Sequence, residues 1–361
     1  MGPLDGFPPL PAGIKGRSTE LRTLTHMIMT TRPTRVALVG SGGSGKSMLA
    51  AALGHRLRRE FEGRVDWFRV GAWDFRTVTE MFALRFGTSR GERRVQQLRR
   101  FLSGGPRLIV LDNHEDDRAM ARLLSTFAST DVTWLITARR CLLGGVLIFP
   151  VTAPSVTSGQ SAFPRVSRLT RTLRWNPLAL DIADAIVASR AASVGVLERF
   201  LEEHGVGRVQ ALEHEDDLPE IGSLLDWAWP RLSNGARRAL AVLSHVDGDH
   251  VDTASLGRLA GLGRSVSAAL EPLLRWRLVQ EPLRGRYALH AVVRHVVARR
   301  TRFSAARSYE HYVSLIERDP ARFALEQTHL FGAMDYAYRE SDMNAILRVD
   351  ALLCRIEAQA D

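Results

Sequence analysis

Short unbroken apolar runs alternate with stretches of helical periodicity through the first part of the chain, and this alternation points to a class of fold. Residues 35–39 (RVALV) predict a strand apolar on both faces, preceded by a short amphipathic helix (ELRTLTHMIM) that Ser18 is placed to cap. Further strand-like runs stand at 65–70 (VDWFRV), 107–111 (RLIVL), 132–137 (VTWLIT) and 146–151 (VLIFPV), separated by helical stretches at 76–86, 91–103 and 116–127. Strands of this kind, alternating with helices, predict a parallel sheet covered by helices on each side.

After about residue 160 the strand signals stop and helical periodicity takes over at 163–174, 177–190 and 194–203. Residues 204–220 are acidic and loop-like and mark a boundary. A third unit follows: a helix from Leu224, helices at 234–245, 253–260 and 265–276, then short strands at 278–281 and 286–289. Helices plus a hairpin suggest a winged helix. Residues 303–360 are helical again, with the Ala/Leu spacing of paired-helix repeats. The expected division is a Pro-rich leading segment (1–17), an α/β domain (18–155), a helical domain (156–220), a winged helix (221–302) and a terminal helical segment (303–361).

Composition narrows the picture. At roughly 150 residues per domain, 361 residues make two to three folded units. Apolar content of 45% is ordinary for a globular chain, and 7% aromatic residues do not suggest a base-stacking platform. The first residues lack the pattern of a secretory signal, and the longest apolar run, 141–151, is far short of the roughly 20 residues of a membrane span. A soluble, cytoplasmic protein with no membrane partner is expected. Cys141 and Cys354 are too few for a disulfide framework and are read as buried thiols. The net charge of +10 would invite a nucleic-acid reading, but of 49 basic residues only Lys15 and Lys46 are lysines. That bias reflects coding pressure toward arginine, and it makes a surviving lysine informative, because ammonium and guanidinium differ in shape and desolvation.

Lys46 lies in Gly40-Ser-Gly-Gly-Ser-Gly-Lys-Ser47, which fits G-x-x-x-x-G-K-[ST] between a predicted strand and a predicted helix. Glycines let the main chain wrap an anion with its N–H groups turned inward, and the helix start adds about half a positive charge. Gly40, Gly42, Gly43, Ser44, Gly45, Lys46, Ser47 and the adjoining Met48 form the candidate nucleotide-binding set. Lys46 is expected to reach the β and γ phosphates, and Ser47 to complete a magnesium shell. The run LIVLD ends in Asp112, the candidate acid that orients magnesium through water. Glu115 is the candidate base or water-positioning group, although Glu115 and Asp116 could equally be first-turn acids of the next helix. At the end of WLITARR, Arg139 is favoured over Arg140 as a γ-phosphate sensor.

In their order these motifs resemble the STAND class of P-loop NTPases, especially its NB-ARC or apoptotic-ATPase branch of bacterial regulators. Gly16-Arg17 with Glu20-Leu21 resembles the motif ahead of the phosphate loop, VLDNHED the second acidic motif, and LITARR the sensor. Asn176-Pro177-Leu178-Ala179-Leu180 is similar to the GLPLAL segment, and Tyr287 to Ala291 occupies the place of the Met-His-Asp motif. Asn176 and Ala291 depart from the pattern, and the stretch between Arg140 and Pro177 is short for the lid. The resemblance implies that Arg17 belongs to the nucleotide site, that Pro177 packs near adenine and that His290 touches the β phosphate of ADP. A lone histidine is otherwise more often a core residue. It further implies a switch: ADP holds a closed state, ATP with magnesium opens the chain into a homo-oligomer, hydrolysis is slow, and effector or sensor regions are partners. No effector is evident, and residues 323–353 resemble only a sensor's opening helices, so a truncated or stripped-down core is expected.

Two other readings compete. A DNA-binding transcription regulator or initiator ATPase would use the winged helix, but the helix at 265–276 (SVSAALEPLLRW) carries one arginine and one glutamate and reads as packing surface, so DNA is not expected as a partner. A small-molecule kinase would leave the long helical region without a role.

Overall fold

In the computed structural model, residues 7–8, 17–71, 73–88, 93–152, 163–204, 218–248 and 250–358 are described. The chain divides into two units, Met1–Ala162 and Phe163–Asp361.

In the first unit the apolar runs form strands where the pattern places them: β1 (Arg35–Val39), β2 (Val65–Arg69), β3 (Arg107–His114), β4 (Val132–Ala138) and β5 (Leu147–Pro150). They pair in parallel in the order β2-β3-β4-β1-β5. Interleaved are α1 (Ser18–Thr30), α2 (Lys46–Leu57), α3 (Phe75–Phe86), α4 (Arg94–Leu102) and α5 (Asp117–Thr126). Every residue of β4 is buried, as a strand covered on both faces requires. The core on one face joins Leu24 and Ile28 of α1, Leu49 and Leu53 of α2, and Val36 and Leu38 of β1.

Two details position the site. Strand β4 lies between β1 and β3, so the loop after β1 and the acid at the end of β3 face each other across it. The β3–β4 register shifts between Leu111 and His114, and Asn113 within the shift takes φ +60°. Such an irregularity re-aims the side chains at a strand end.

The Pro-rich leading segment contributes to this core. Phe7 is buried with its ring edge-on to His55 (5.2 Å) and Trp67 (5.4 Å), and His55 Nε2 donates to Pro8 O at 2.8 Å. A Cβ on Gly54, inside α2, would lie 2.3 Å from the Phe7 ring. That close approach explains a glycine where alanine would favour the helix by about 1 kcal/mol.

The second unit is helical around one small sheet. A 3-10 turn (Pro164–Leu169) precedes α6 (Pro177–Ala188), α7 (Val194–His204), α8 (Pro219–Ala228) and α9 (Asn234–His245). Then come β6 (Val251–Asp252), α10 (Thr253–Leu259), α11 (Val266–Arg275), β7 (Gln280–Leu283), β8 (Arg286–Ala288) and α12 (Ala291–Ala298). The strands form an antiparallel sheet in the order β6-β8-β7, and α9 packs on α11 and α12. The last helices, α13 (Ala305–Arg318), α14 (Phe323–Arg339) and α15 (Met343–Ala358), share an apolar core of their own, built on Val313, Ile316, Leu330, Val349 and Leu352.

The expected helix at 163–174 is instead a 3-10 turn with Val166 outside helical angles. Arg174 and Trp175 then take φ +49° and +57°, ending the turn so that Asn176 can cap α6. Strand β6, two residues long, is too short to leave a pattern, and the cysteines expected to be buried are not: Cys141 is half-buried and Cys354 exposed.

Candidate functional site

The site grows from the end of β1. A Cβ on Gly40 would lie 2.3 Å from Val151 O, so only glycine lets the loop leave the sheet at this point. Gly43 and Gly45 take φ +73° and +90°, and Gly45 caps α2. These left-handed steps suit residues without a Cβ. Lys46 opens α2 and donates from Nζ to Gly40 O and Ser41 O, both at 2.8 Å. Burial pushes its pKa down to about 8, against the attraction of Asp112 and with the help of the Arg139 cation. Lys46 is therefore a desolvated cation that gains from a polyphosphate beside it.

Ser47 and Asp112 meet: Ser47 Oγ donates to Asp112 Oδ1 at 2.6 Å. The same carboxylate oxygen accepts from Thr137 Oγ1 at 2.6 Å, and Thr137 Oγ1 accepts from Asn113 N at 2.9 Å. A hydroxyl on the intervening β4 thus fixes the acid of β3 facing the serine that follows β1. Thr137 was absent from the candidate set. It is the last residue but one of a strand in which every other position is apolar except Thr133, and that polar interruption is the signal.

Arg17 is buried and donates from Nη2 to Ser44 O (2.8 Å) and Thr152 O (2.7 Å), and from Nη1 to Glu20 (2.7 Å). It braces the phosphate loop from behind. Arg139 follows β4 directly and is half-buried. Glu115 is exposed, its Oε1 accepting from Asn113 Nδ2 at 2.8 Å, whereas Asp116 caps α5 by accepting from Arg118 N and Ala119 N. The helix-opening alternative therefore fits Asp116 and not Glu115. Met48 is exposed at the start of α2. Pro177 and His290 belong to the second unit: Pro177 is the first residue of α6, and His290 caps α12, its Nδ1 accepting from Val292 N at 3.3 Å. Gly42 is half-buried within the loop.

A nucleotide with magnesium fits these residues. Ser44 Oγ is a buried hydroxyl with no hydrogen-bond partner within the glycine-rich loop. One hydroxyl and one carboxylate, at Ser47 and Asp112, are the hard oxygen donors that magnesium takes beside phosphate oxygens.

Over 97% of its length the chain superimposes, with a TM-score of 0.61 and 16% identity, on 54% of a Signal Transduction ATPase with Numerous Domains (STAND) protein with a tetratricopeptide repeat sensor from Pyrococcus horikoshii. The chain has the fold of a STAND P-loop ATPase. By sequence it is similar to the regulatory protein AfsR of Streptomyces coelicolor, 27% identical across 72% of this chain and 28% of that protein. AfsR of Streptomyces griseus is 28% identical across 77% of this chain and 31% of that protein. The chain thus spans less than a third of the length of these curated relatives. No protein-family model matches it. Among the described residues no helix is long and apolar enough to cross a membrane.

Proposed function

We propose that the chain is a nucleotide-dependent signal-transduction switch of the NB-ARC type. It binds ADP in a closed state and ATP with magnesium in an open, self-associating state, and it hydrolyses ATP slowly. The observation that carries this reading is the Ser47–Asp112–Thr137 chain beside a half-buried, desolvated lysine, because it prepares a magnesium and polyphosphate site before any ligand arrives.

In this reading the loop amides of residues 40–45 and Lys46 bind the phosphates, while Ser47 and Asp112 hold magnesium, which supplies charge neutralisation along the phosphate chain. Arg17 holds the loop in shape, and Arg139 is the group that distinguishes a third phosphate. Glu115 is the nearest candidate to orient water. Its bond to Asn113 and its exposure support slow turnover, since an efficient base is poised against the reacting group. Pro177, Met48 and His290 complete the site on the strength of the family resemblance, His290 holding the β phosphate of ADP. The domain limits proposed are 18–155, 156–220, 221–302 and 303–361, with effector or sensor regions as protein partners.

Switching in this reading is a population shift, and moving from mostly closed to mostly open requires about 5.5 kcal/mol of differential binding. We place DNA outside the function of this chain. Helix α11 turns Val266, Ala269, Leu270 and Leu273 inward, and on its outer face Glu271 and Arg275 pair with each other, leaving little to read a base edge.

Mass spectrometry of nucleotide released from purified protein is expected to show ADP. His290→Ala is expected to speed ADP release about tenfold, the worth of one hydrogen bond to a charged group. Wild-type protein without affinity for ADP or ATP overturns the switch, and an unchanged release rate removes His290 from it.

A further inference from the structure

The turn that carries Arg139 is tied at both ends. Ala138, the last residue of β4, stands opposite His114 of β3, and its carbonyl accepts from Gly40 N at 3.3 Å, so the chain leaves the sheet from a point bonded to the phosphate loop. Past Arg139, Arg140 and Cys141, Leu142 N donates to Asp117 Oδ2 at 3.1 Å, and Asp117 Oδ1 accepts from His114 Nε2 at 2.7 Å. One carboxylate at the start of α5 therefore joins the end of β3 to the far end of residues 139–141.

Little in the local sequence stiffens this stretch. The Leu142 side chain is 84% exposed, and Gly144 and Gly145 follow, the latter at φ +70°. His114, in contrast, is buried, and its ring lines a small apolar cavity with Val70, Trp73 and Met120. The imidazole is an anchor packed into the first unit, and Asp117 carries that anchorage out to the exposed turn. The effect reaches the site: the Arg139 cation is close enough to Lys46 to help lower its pKa, so movement of the turn is felt at the phosphate loop. A guanidinium grips a phosphate as a planar fork, and a fork held in place before binding loses less freedom when it closes on its ligand.

We propose that Asp117 is a positioning residue for nucleotide discrimination: by bracing residues 139–141 between His114 and Leu142, it presents the Arg139 guanidinium to a third phosphate, so that ATP is told from ADP. The discrimination rests on the role of Arg139 proposed above; the brace does not.

Hydrogen exchange at the Leu142 amide, and calorimetric titration with ATP and with ADP in the presence of magnesium, test it on the full chain. Asp117 is 36% exposed, so truncating it leaves no hole in the core. In Asp117→Ala, Leu142 is expected to exchange about tenfold faster and ATP affinity to fall about tenfold, with ADP affinity within about twofold of wild type. Asp117→Asn keeps an acceptor for Leu142 N and offers a donor to the other His114 tautomer, so both affinities are expected to stay within about twofold of wild type. Asp74→Ala removes the cap of α3 in the same unit, where the carboxylate accepts from Thr77 N at 2.8 Å; it is expected to lower stability and leave the ratio of ATP to ADP affinity alone. Unchanged exchange at Leu142 in Asp117→Ala overturns the brace. Faster exchange with equal losses of ATP and ADP affinity, or with none, overturns the link to the third phosphate, as does a ratio that falls equally in Asp74→Ala. Losses in Asp117→Asn as large as in Asp117→Ala trace the effect to charge and overturn the proposal. A ratio unchanged in Arg139→Ala overturns the sensor reading instead, and a wild type that binds neither nucleotide overturns the switch; exchange at Leu142 decides the brace in both cases.

Discussion

The two units use buried polar groups in opposite ways. In the first, Ser47, Asp112 and Thr137 are linked at one edge of an apolar sheet, and the hydroxyl of Ser44 is left with capacity for a ligand. In the second, Glu326, Arg286, Arg322 and Asp252 cancel one another's charge inside a joint between elements. The difference separates a place with a buried hydroxyl still open to a partner from a joint whose charges are satisfied within the chain. Burial of charge alone does not identify a ligand site; what matters is whether the partners come from the chain itself.

Removing the cation from the first arrangement breaks the contrast most sharply. Lys46→Ala is expected to weaken ATP and ADP binding roughly a thousandfold, about 4 kcal/mol, the loss of a desolvated charge partner. Calorimetric titration checks it, and wild-type affinity would refute the cradle. An apolar substitution in the same unit separates stability from binding. Phe7→Ala is expected to cost about 3 kcal/mol of stability, as for a packed phenylalanine, with little change in nucleotide affinity. Denaturant unfolding with matched titrations measures both. Thr137→Val keeps shape and removes the bond to Asp112. Magnesium-dependent ATP affinity should fall by roughly tenfold, about 1.4 kcal/mol, while magnesium-free binding stays near wild type. Equal losses with and without the metal would show that Thr137 acts on the loop as a whole.

The smallest effect is that of pH. With its pKa pushed down to about 8, Lys46 is charged below that value and neutral above it, so phosphate binding above pH 8 must take up a proton. ADP affinity should be level below pH 7 and fall about fivefold between pH 8 and pH 9. A flat profile to pH 9.5 would show that Lys46 keeps its charge in the free loop.

Much of this was legible in the sequence, for local reasons. The phosphate loop and the five parallel strands follow from contiguous residues, and α9 and β1 begin and end where their patterns do. The placement of Asp112 against Ser47 followed from motif order. What escaped were partnerships made in space. Phe7 is one residue of a Pro-rich leading segment in the sequence, and the hollow it fills is shaped by Gly54 in another element. Thr137 looked like a strand end, since its function depends on which strands neighbour β4. The Glu326–Arg286 pair joins residues 40 positions apart, and in a chain so rich in arginine no single one stands out. The turn at 164–169 carried apolar spacing without the angles of a helix.

The order of the strands has one last effect. Because β4 separates β1 from β3, the strand that leads into the glycine-rich loop and the strand that carries Asp112 stand two strand spacings apart, about 9.6 Å, a distance dictated by main-chain pairing alone. Side-chain drift, including the exchange of lysine for arginine across the rest of the chain, leaves that ruler untouched. Substitutions elsewhere in the chain leave Ser47 and Asp112 at the same reach.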